Sequence, residues 1–204
     1  MEMKDVIVKY ASMMNALPYS TGKSPQILVR IGDRCLATDE DADFSSLTEE
    51  DIIDITNQPS VEKDVLMASR EARAMILSRT PYVGICVASR RRIPAVLDDM
   101  AQIIGQEARV VPRTFRGISR ALKSAEVALV RPEESGGYAI TCGRNLYEAY
   151  VAMTVLEKSA EVILKAAVIG GAKPIGSLDC RLMHQIYRRK YSKAEKEHKD
   201  DTEG

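Results

Sequence analysis

Histidine, the side chain most often used for metal binding and for proton transfer near neutral pH, is almost absent from this chain. The 204 residues include only His184 and His198, so residues 1–183 contain none. The four cysteines lack the paired spacing of a zinc cluster; they are Cys35, Cys86, Cys142 and Cys180. We therefore predict free buried thiols, as in a reducing compartment, and no structural zinc site.

Charged side chains offer the remaining chemistry, and they occur in short runs. Glu40 and Asp41 form an acidic pair, and Arg90, Arg91 and Arg92 follow an apolar segment. Guanidinium groups bind carboxylates and phosphates through paired hydrogen bonds. A second basic stretch consists of Arg113, Arg116, Arg120 and Lys123. If this stretch is helical, its spacing places the side chains on one face, and we expect that face to be solvated.

The overall charge and hydropathy exclude several classes of protein. Lys and Arg together number 29, as do Asp and Glu, so the chain has no net basic charge for nucleic acid or an anionic membrane. No apolar run reaches the roughly 18 residues that a membrane-spanning helix needs. Acidic side chains stand at Glu2 and Asp5, which is not typical of a signal peptide. We predict a cytoplasmic protein with neither a nucleic-acid nor a membrane partner.

Hydrophobic periodicity in the first half of the chain predicts the elements that must position these residues. Two apolar runs flank Gly32 and Asp33, which indicates a β-hairpin. Ser60 is placed to cap a helix extending to about residue 78. The continuous apolar run at residues 82–87 has the length of a strand and predicts a buried central strand. Further elements are predicted at residues 3–16 (helix), 52–55 (strand) and 94–104 (helix).

The pattern of the second half predicts short strands at residues 109–111, 127–130 and 138–141, a short helix at residues 117–124, and two long helices. Asn145, with Glu148 three residues later, is placed to start a helix that ends at Gly170. A last helix is predicted to begin near Leu178. The elements together predict a single α/β domain, residues 1–192, with a mixed, largely antiparallel sheet and helices on its faces. Residues 193–204 form a charged tail that we expect to be disordered.

Three stretches, in their order and spacing, resemble the class II aldolase/adducin family, which includes fuculose-phosphate aldolase and ribulose-phosphate 4-epimerase. Residues 29–51 resemble the family's hairpin and the turn after it. Residues 81–87 resemble the strand that leads into its metal motif, and residues 143–171 resemble the helix after its last metal ligand. The resemblance implies a three-layer α/β/α sandwich and a homo-oligomer, commonly a tetramer.

The resemblance also implies where zinc and a sugar phosphate would bind. Family members hold zinc on three histidines, and these positions fall on residues 88–91 and near Gly137, which offer no ligand. The family's phosphate-binding stretches fall on residues 24–26 and on Glu40 and Asp41, whose carboxylates would repel a phosphate dianion. We therefore expect no bound metal and no other cofactor.

One catalytic residue of the family has a counterpart by resemblance. The sequence from Pro59 to Glu62 resembles the Pro-Ser-Ser-Glu motif that carries the family's catalytic acid/base, which would assign that role to Glu62. The alternative is that Glu62 is an ordinary residue of a first helical turn, where the helix dipole favours a carboxylate.

Two functions remain open. The first is an aldolase-like protein that has lost the zinc site and serves in binding or assembly. The alternative is a metal-independent lyase or isomerase-type enzyme for a small carbonyl, carboxylate or sugar-phosphate compound. If the fold is retained, Arg90 and Arg91 would lie near Glu40 and Asp41, and we expect these groups to pair across the former cleft. Two alternatives remain open for the arginine run: it is a solvated loop, or it binds a small anionic metabolite.

Overall fold

Seven helices and nine strands make up the part of the chain that the computed structural model describes, residues 2–18, 25–131 and 136–200, with side chains up to residue 189. The helices are α1 (Met3–Asn15), α2 (Val61–Ala68), α3 (Pro81–Ala88), α4 (Asp98–Ile103), α5 (Phe115–Leu122), α6 (Leu146–Ala166) and α7 (Ser177–Asp200). The strands are β1 (Gln26–Ile31), β2 (Arg34–Thr38), β3 (Ile52–Asp54), β4 (Ala74–Ser78), β5 (Ile93–Pro94), β6 (Glu107–Ala108), β7 (Val110–Pro112), β8 (Val127–Arg131) and β9 (Tyr138–Gly143).

Seven of these strands form one sheet, in the order β3-β2-β1-β4-β9-β8-β7. Neighbours are antiparallel except for β7 and β8, which are parallel. β1 and β2 form the predicted hairpin, and Gly32 in its turn has a φ of 59°, which glycine adopts without strain. The predicted mixed, largely antiparallel sheet is therefore confirmed.

Helices cover both faces of this sheet. On one face, Leu66 of α2 and Ile118 of α5 pack with Met75 of β4. On the other face, α1, α3, α4 and α6 pack in two further clusters, which include Ile7 and Val83. Full burial of one such side chain contributes roughly 1.5–3 kcal/mol to folding. The result is the three-layer sandwich that the resemblance implied.

The helix that follows Ser60 is shorter than predicted. The hydroxyl of Ser60 caps it by accepting the backbone N–H of Lys63 at 3.3 Å. α2 ends at Ala68, however, and residues 74–78 form the central strand β4, with all five side chains buried. The prediction of one helix to residue 78 is therefore wrong. A strand buried on both faces is largely apolar, as residues 74–77 are here, so its sequence lacks the alternation that would identify it.

The run at residues 82–87 is part of helix α3, so the predicted strand there is wrong. Pro81 occupies the first turn, where its fixed φ favours a helix. The buried carboxylate of Glu157 on α6 accepts the backbone N–H groups of Tyr82 and Val83, each at 2.9 Å. These bonds satisfy two donors that a helix start leaves unpaired. A short apolar run does not distinguish a strand from a buried helix, and here a distant side chain favours the helix.

The C-terminal half follows the predictions more closely. Asn145 caps α6 by accepting the backbone N–H of Glu148 at 2.9 Å, and Gly170 beyond the helix has a φ of 105°. The predicted helix at residues 94–104 is confined to α4. α7 packs against α4 and overlaps the charged segment 193–204, whose disorder stays a prediction.

All four cysteines are free and buried, as predicted. Within the residues that the structure describes, every helix is too short or too polar to cross a membrane.

Candidate functional site

A cleft of about 510 Å³ opens where the end of β4, the start of β9 and the segment after β2 come together. The first turn of α2 and the turn before α5 complete its walls. Its polar lining among the described residues includes Asp39, Glu40, Asp41, Glu62, Arg79, Arg113 and Tyr138. Its apolar lining includes Leu28, Ile53, Ile55 and Leu77. The volume falls within the range of roughly 300–1,000 Å³ that is typical of small-molecule sites.

Glu62 lies at the centre of a hydrogen-bond network in this cleft. It is in the first turn of α2 and is only 2% exposed. Arg113 donates from Nε to Oε1 at 2.9 Å and from Nη2 to Oε2 at 3.0 Å. The Tyr138 hydroxyl also donates to Oε1, and the Ser60 hydroxyl donates to Oε2 at 3.2 Å. Both oxygens of the carboxylate are therefore satisfied.

These contacts set the protonation states of the network. Burial acts to raise the pKa of Glu62, but the hydrogen bonds from Arg113 and Tyr138 outweigh it, so the pKa is lowered overall. The pKa of Tyr138 is raised, first by burial and then by its hydrogen bond to Glu62. The hydrogen bond to Glu62 also raises the pKa of Arg113. At neutral pH, Glu62 is therefore ionised, Tyr138 keeps its proton and Arg113 keeps its charge.

Arg79 brings a second guanidinium group to the cleft. It directly follows β4, its side chain is exposed, and its Cζ lies 5.4 Å from the centre of the Tyr138 ring. At this distance the cation is attracted to the ring face. No carboxylate in the described part of the chain pairs with Arg79. Its charge is therefore available to a ligand.

The acidic residues singled out in the sequence line another part of the same cleft. Glu40 and Asp41 follow β2, and Asp39 Oδ1 accepts the backbone N–H of Asp41 at 3.0 Å. The structure thus brings Glu40, Asp41 and Glu62 into one cavity. A role for these residues in binding or catalysis remains a prediction.

The arginine run lies elsewhere. Arg90 and Arg91 follow α3 and are not among the described residues that line the cleft. Arg92 pairs instead with Glu107, with 3.0 Å between Nη1 and Oε2. Among the described residues, no ion pair joins the run to the acidic segment after β2. The predicted pairing across the cleft is therefore not seen, and ligand binding by Arg90 and Arg91 remains a prediction.

The residues of this cleft do not fit the zinc ion that the family implies. Residues 81–87, which resemble the strand before the family's metal motif, lie in helix α3; the strand that precedes them is β4, and Arg79 directly follows it. A guanidinium group cannot bind zinc, and the hydrogen-bond network occupies both oxygens of Glu62. Within the described residues, no group of three or more His, Cys, Asp or Glu side chains is placed to hold a metal ion.

Sequence reasoning missed Arg79, Arg113 and Tyr138 as site residues. We predicted that Arg113 would share a solvated helix face with Arg116 and Arg120. Thr114, however, caps α5 by accepting the backbone N–H of Gly117 at 3.1 Å, so Arg113 precedes the helix and turns to Glu62. Arg116 and Arg120 line a separate groove. The Thr114 cap was the sequence signal that could have separated them.

Solved aldolase structures have the same fold as this chain. The chain is similar to an L-fuculose 1-phosphate aldolase, with a TM-score of 0.79 and 19% identity over 91% of this chain and 95% of that chain. It is similar to the L-fuculose-1-phosphate aldolase from Thermus thermophilus, with a TM-score of 0.70 and 20% identity over 85% and 98%. An aldolase II superfamily protein from Pseudomonas syringae gives a TM-score of 0.63 and 15% identity over 91% and 84%.

The likeness is structural and not one of sequence. The sequence matches no family model and no curated protein sequence. At identities of 15–20%, the matches establish the class II aldolase fold, and the reaction must be argued from the cleft.

Proposed function

We propose that this chain, which has the class II aldolase fold, is a divergent member of that family whose cleft binds a small anionic metabolite without zinc-dependent aldolase chemistry. The proposal rests mainly on the hydrogen bonds that Arg113 and Tyr138 donate to Glu62. A general acid or base works best with a pKa near the operating pH and with access to the substrate proton. Glu62 has a lowered pKa, is buried, and is held by Arg113 and Tyr138.

The two guanidinium groups that line the cleft also support binding without a metal. In the family, zinc polarises the substrate carbonyl. Here the cations that line the cleft among the described residues are Arg79 and Arg113. Neither can ligate a metal, and both would repel a divalent cation. An anionic ligand would instead gain a direct contact with Arg79.

A metal-independent lyase or isomerase-type enzyme is the second candidate. The observation that favours it is the open cleft, on which guanidinium groups and carboxylates converge. Arg79 could stabilise negative charge that develops on a substrate oxygen, as an oxyanion hole does. Glu40 or Asp41 would then have to carry the proton, because both oxygens of Glu62 already accept hydrogen bonds from Arg113, Tyr138 and Ser60. The substrate would be a small carbonyl, carboxylate or sugar-phosphate compound.

Metal content and turnover, measured on the same preparation, test both candidates. The protein is purified without chelators or a histidine tag, analysed for metals, and incubated with L-fuculose 1-phosphate with and without added Zn²⁺. We expect no stoichiometric metal and no cleavage. Bound zinc with cleavage that Glu62→Gln abolishes would contradict the proposal. Metal-free turnover of any compound in the second class, lost in Arg79→Gln, would favour the second candidate.

We also propose that the chain is a cytoplasmic homo-oligomer, and by resemblance a tetramer. Leu178, Leu182 and Ile186 repeat every four residues on α7 and are 77%, 56% and 46% exposed. An exposed apolar stripe on a helix is typical of a surface that packs against another chain.

A further inference from the structure

We infer that the cleft selects a singly charged carboxylate over a phosphate dianion, and that Arg79 is the residue that binds the carboxylate. The inference rests on the proposed function and specifies its ligand class. It follows from three features of the cleft: a guanidinium at Arg79 that forms no ion pair within the described residues, the excess of negative charge in the described lining, and the apolar part of that lining.

The geometry of Arg79 favours a planar anion. Its guanidinium contacts the face of the Tyr138 ring, with Cζ 5.4 Å from the ring centre. This contact limits the orientations of the group, while its N–H donors make no hydrogen bond within the described part of the chain. A guanidinium presents two parallel donors that match the two oxygens of a carboxylate. Arg113 is less available, because Nε and Nη2 already donate to Glu62.

The charge of the lining disfavours a dianion. The described lining carries four carboxylates and two guanidinium groups, so it is net negative by two charges. Asp39 and Glu40 are exposed, and Asp41 also lines the cavity. A phosphate monoester with two negative charges is repelled about twice as strongly by this field as a carboxylate with one. Arg79 also attracts the dianion more strongly than the carboxylate, but the summed charge of the described lining is negative, so the balance disfavours the dianion.

The apolar part of the lining favours a ligand with a carbon skeleton. Its surface comes from four side chains: Leu28, Ile53, Ile55 and Leu77. A short aliphatic or hydroxylated chain would contact this surface while its carboxylate reaches Arg79. The ligand class is therefore a small monocarboxylate in a cavity of about 510 Å³.

Two series of probes with matched skeletons test this selection. Three- to five-carbon hydroxycarboxylates, such as glycerate, are compared with their phosphate analogues, such as glycerol 3-phosphate, by calorimetry and ligand-observed NMR on the full chain. At pH 7.5 we expect the carboxylates to bind about tenfold more tightly or better. At pH 5.5 the gap should narrow, because phosphate monoesters lose their second charge near a pKa of about 6.

Variants separate the role of Arg79 from general electrostatics. Arg79→Gln should weaken carboxylate binding about tenfold or more, and Arg79→Lys should restore only part of it, because lysine lacks the paired donors. Arg120→Gln makes the same change of charge in the separate groove and should leave binding unchanged. The double variant Asp39→Asn/Glu40→Gln should reduce the discrimination against phosphate. Urea unfolding checks that each variant remains folded.

The outcomes distinguish this inference from the function on which it rests. If the phosphate esters bind more tightly at pH 7.5, or if Arg79→Gln binds carboxylates as well as the unchanged protein, the inference is overturned while the binding function survives. If no member of either series binds, both fail.

Discussion

The carboxylate of Glu62 and the guanidinium of Arg113 form a two-bond ion pair in the cleft, with 2.9 Å between Nε and Oε1 and 3.0 Å between Nη2 and Oε2. The pair joins the first turn of α2 to the turn before α5, 51 residues apart in sequence. Its two sides differ in exposure: the Glu62 side chain is 3% exposed and that of Arg113 is 48% exposed. The cost of desolvation therefore falls mainly on the carboxylate.

Removing the cation should destabilise the fold because it leaves this carboxylate buried with fewer partners. We expect Arg113→Gln to lower the free energy of unfolding by about 2–4 kcal/mol, somewhat below the value for a fully buried pair, since Arg113 is half exposed. Urea denaturation at pH 7 measures the loss. Arg34→Gln, which breaks the exposed pair with Asp54, is the matched control and should cost less than about 1 kcal/mol.

A double-mutant cycle tests whether the loss comes from the pair itself. Glu62→Gln removes the charge that needs a partner, so Arg113→Gln should cost at least about 1 kcal/mol less in that background. Additive effects would show that the two groups do not interact energetically.

The stabilisation by Glu62 should also depend on pH, because the pKa of Glu62 is lowered in the folded protein. It should be present above the unfolded pKa of about 4.3 and be lost as the pH falls through the folded pKa.

Glu126 should make stability depend on pH in the opposite sense. Burial, and then the nearby Glu148, raise its pKa to about 7, while Arg144 opposes the shift. A carboxyl with a raised folded pKa stabilises the protein most below its unfolded pKa, and this contribution is lost as the pH rises through the folded value. We expect the titration of Glu126 to lower the free energy of unfolding by about 1–2 kcal/mol between pH 4.5 and 7.5. This energy is smaller than the pKa shift alone would give, because 30% of the side chain is exposed to solvent.

The difference between Glu126→Gln and the unchanged protein isolates this contribution from the other carboxyl groups. The variant should have a flatter stability profile between pH 4.5 and 7.5. Glu161→Gln, at an exposed pair with Lys165 on α6, should leave the profile unchanged. Equal slopes for Glu126→Gln and the unchanged protein would show that Glu126 titrates normally.

Local sequence signals predicted the parts of the fold that depend on local contacts. The turn at Gly32 and the cap at Asn145 are recognisable because their hydrogen bonds or backbone angles involve residues a few positions apart. The sequence predicted a helix where β4 lies and a strand where α3 lies, because both segments are short and apolar. What separates them is sheet pairing for β4 and the distant carboxylate of Glu157 for α3.

The cleft shows the same division between local and distant information. Glu62 was found through a four-residue motif. Arg79 was missed because its position relative to the sheet depends on which segment is the central strand. Arg113 was missed because its partner, Glu62, lies far away in sequence on α2. Tyr138 was missed because nothing near it in sequence indicates that the start of β9 pairs with the end of β4.

The contact that favours helix α3 can be tested directly. Glu157 is 1% exposed and accepts the N–H groups of Tyr82 and Val83. Glu157→Leu should lower the free energy of unfolding by about 1–3 kcal/mol, because one buried and one partly buried backbone donor lose their acceptor. Hydrogen exchange should speed up at Tyr82 and Val83 beyond this global effect. Glu157→Gln keeps one acceptor oxygen, so its stability and exchange rates should lie between those of the unchanged protein and Glu157→Leu. Unchanged exchange at both amides in Glu157→Leu would contradict the role assigned to this carboxylate.

The apolar stripe on α7 leads to a prediction about assembly. Leu178 and Leu182 are exposed, although their burial in an oligomer would contribute roughly 1.5–3 kcal/mol each. Sedimentation should give the mass of four copies of the 22.6-kDa chain. The double variant Leu178→Gln/Leu182→Gln should sediment with a smaller mass while keeping the helical signal of the unchanged protein. Met13→Gln, at an exposed apolar position on α1, is the matched control and should preserve the assembly. A monomeric mass for the unchanged protein would refute the proposed oligomer, and an intact oligomer in the double variant would move the interface away from α7.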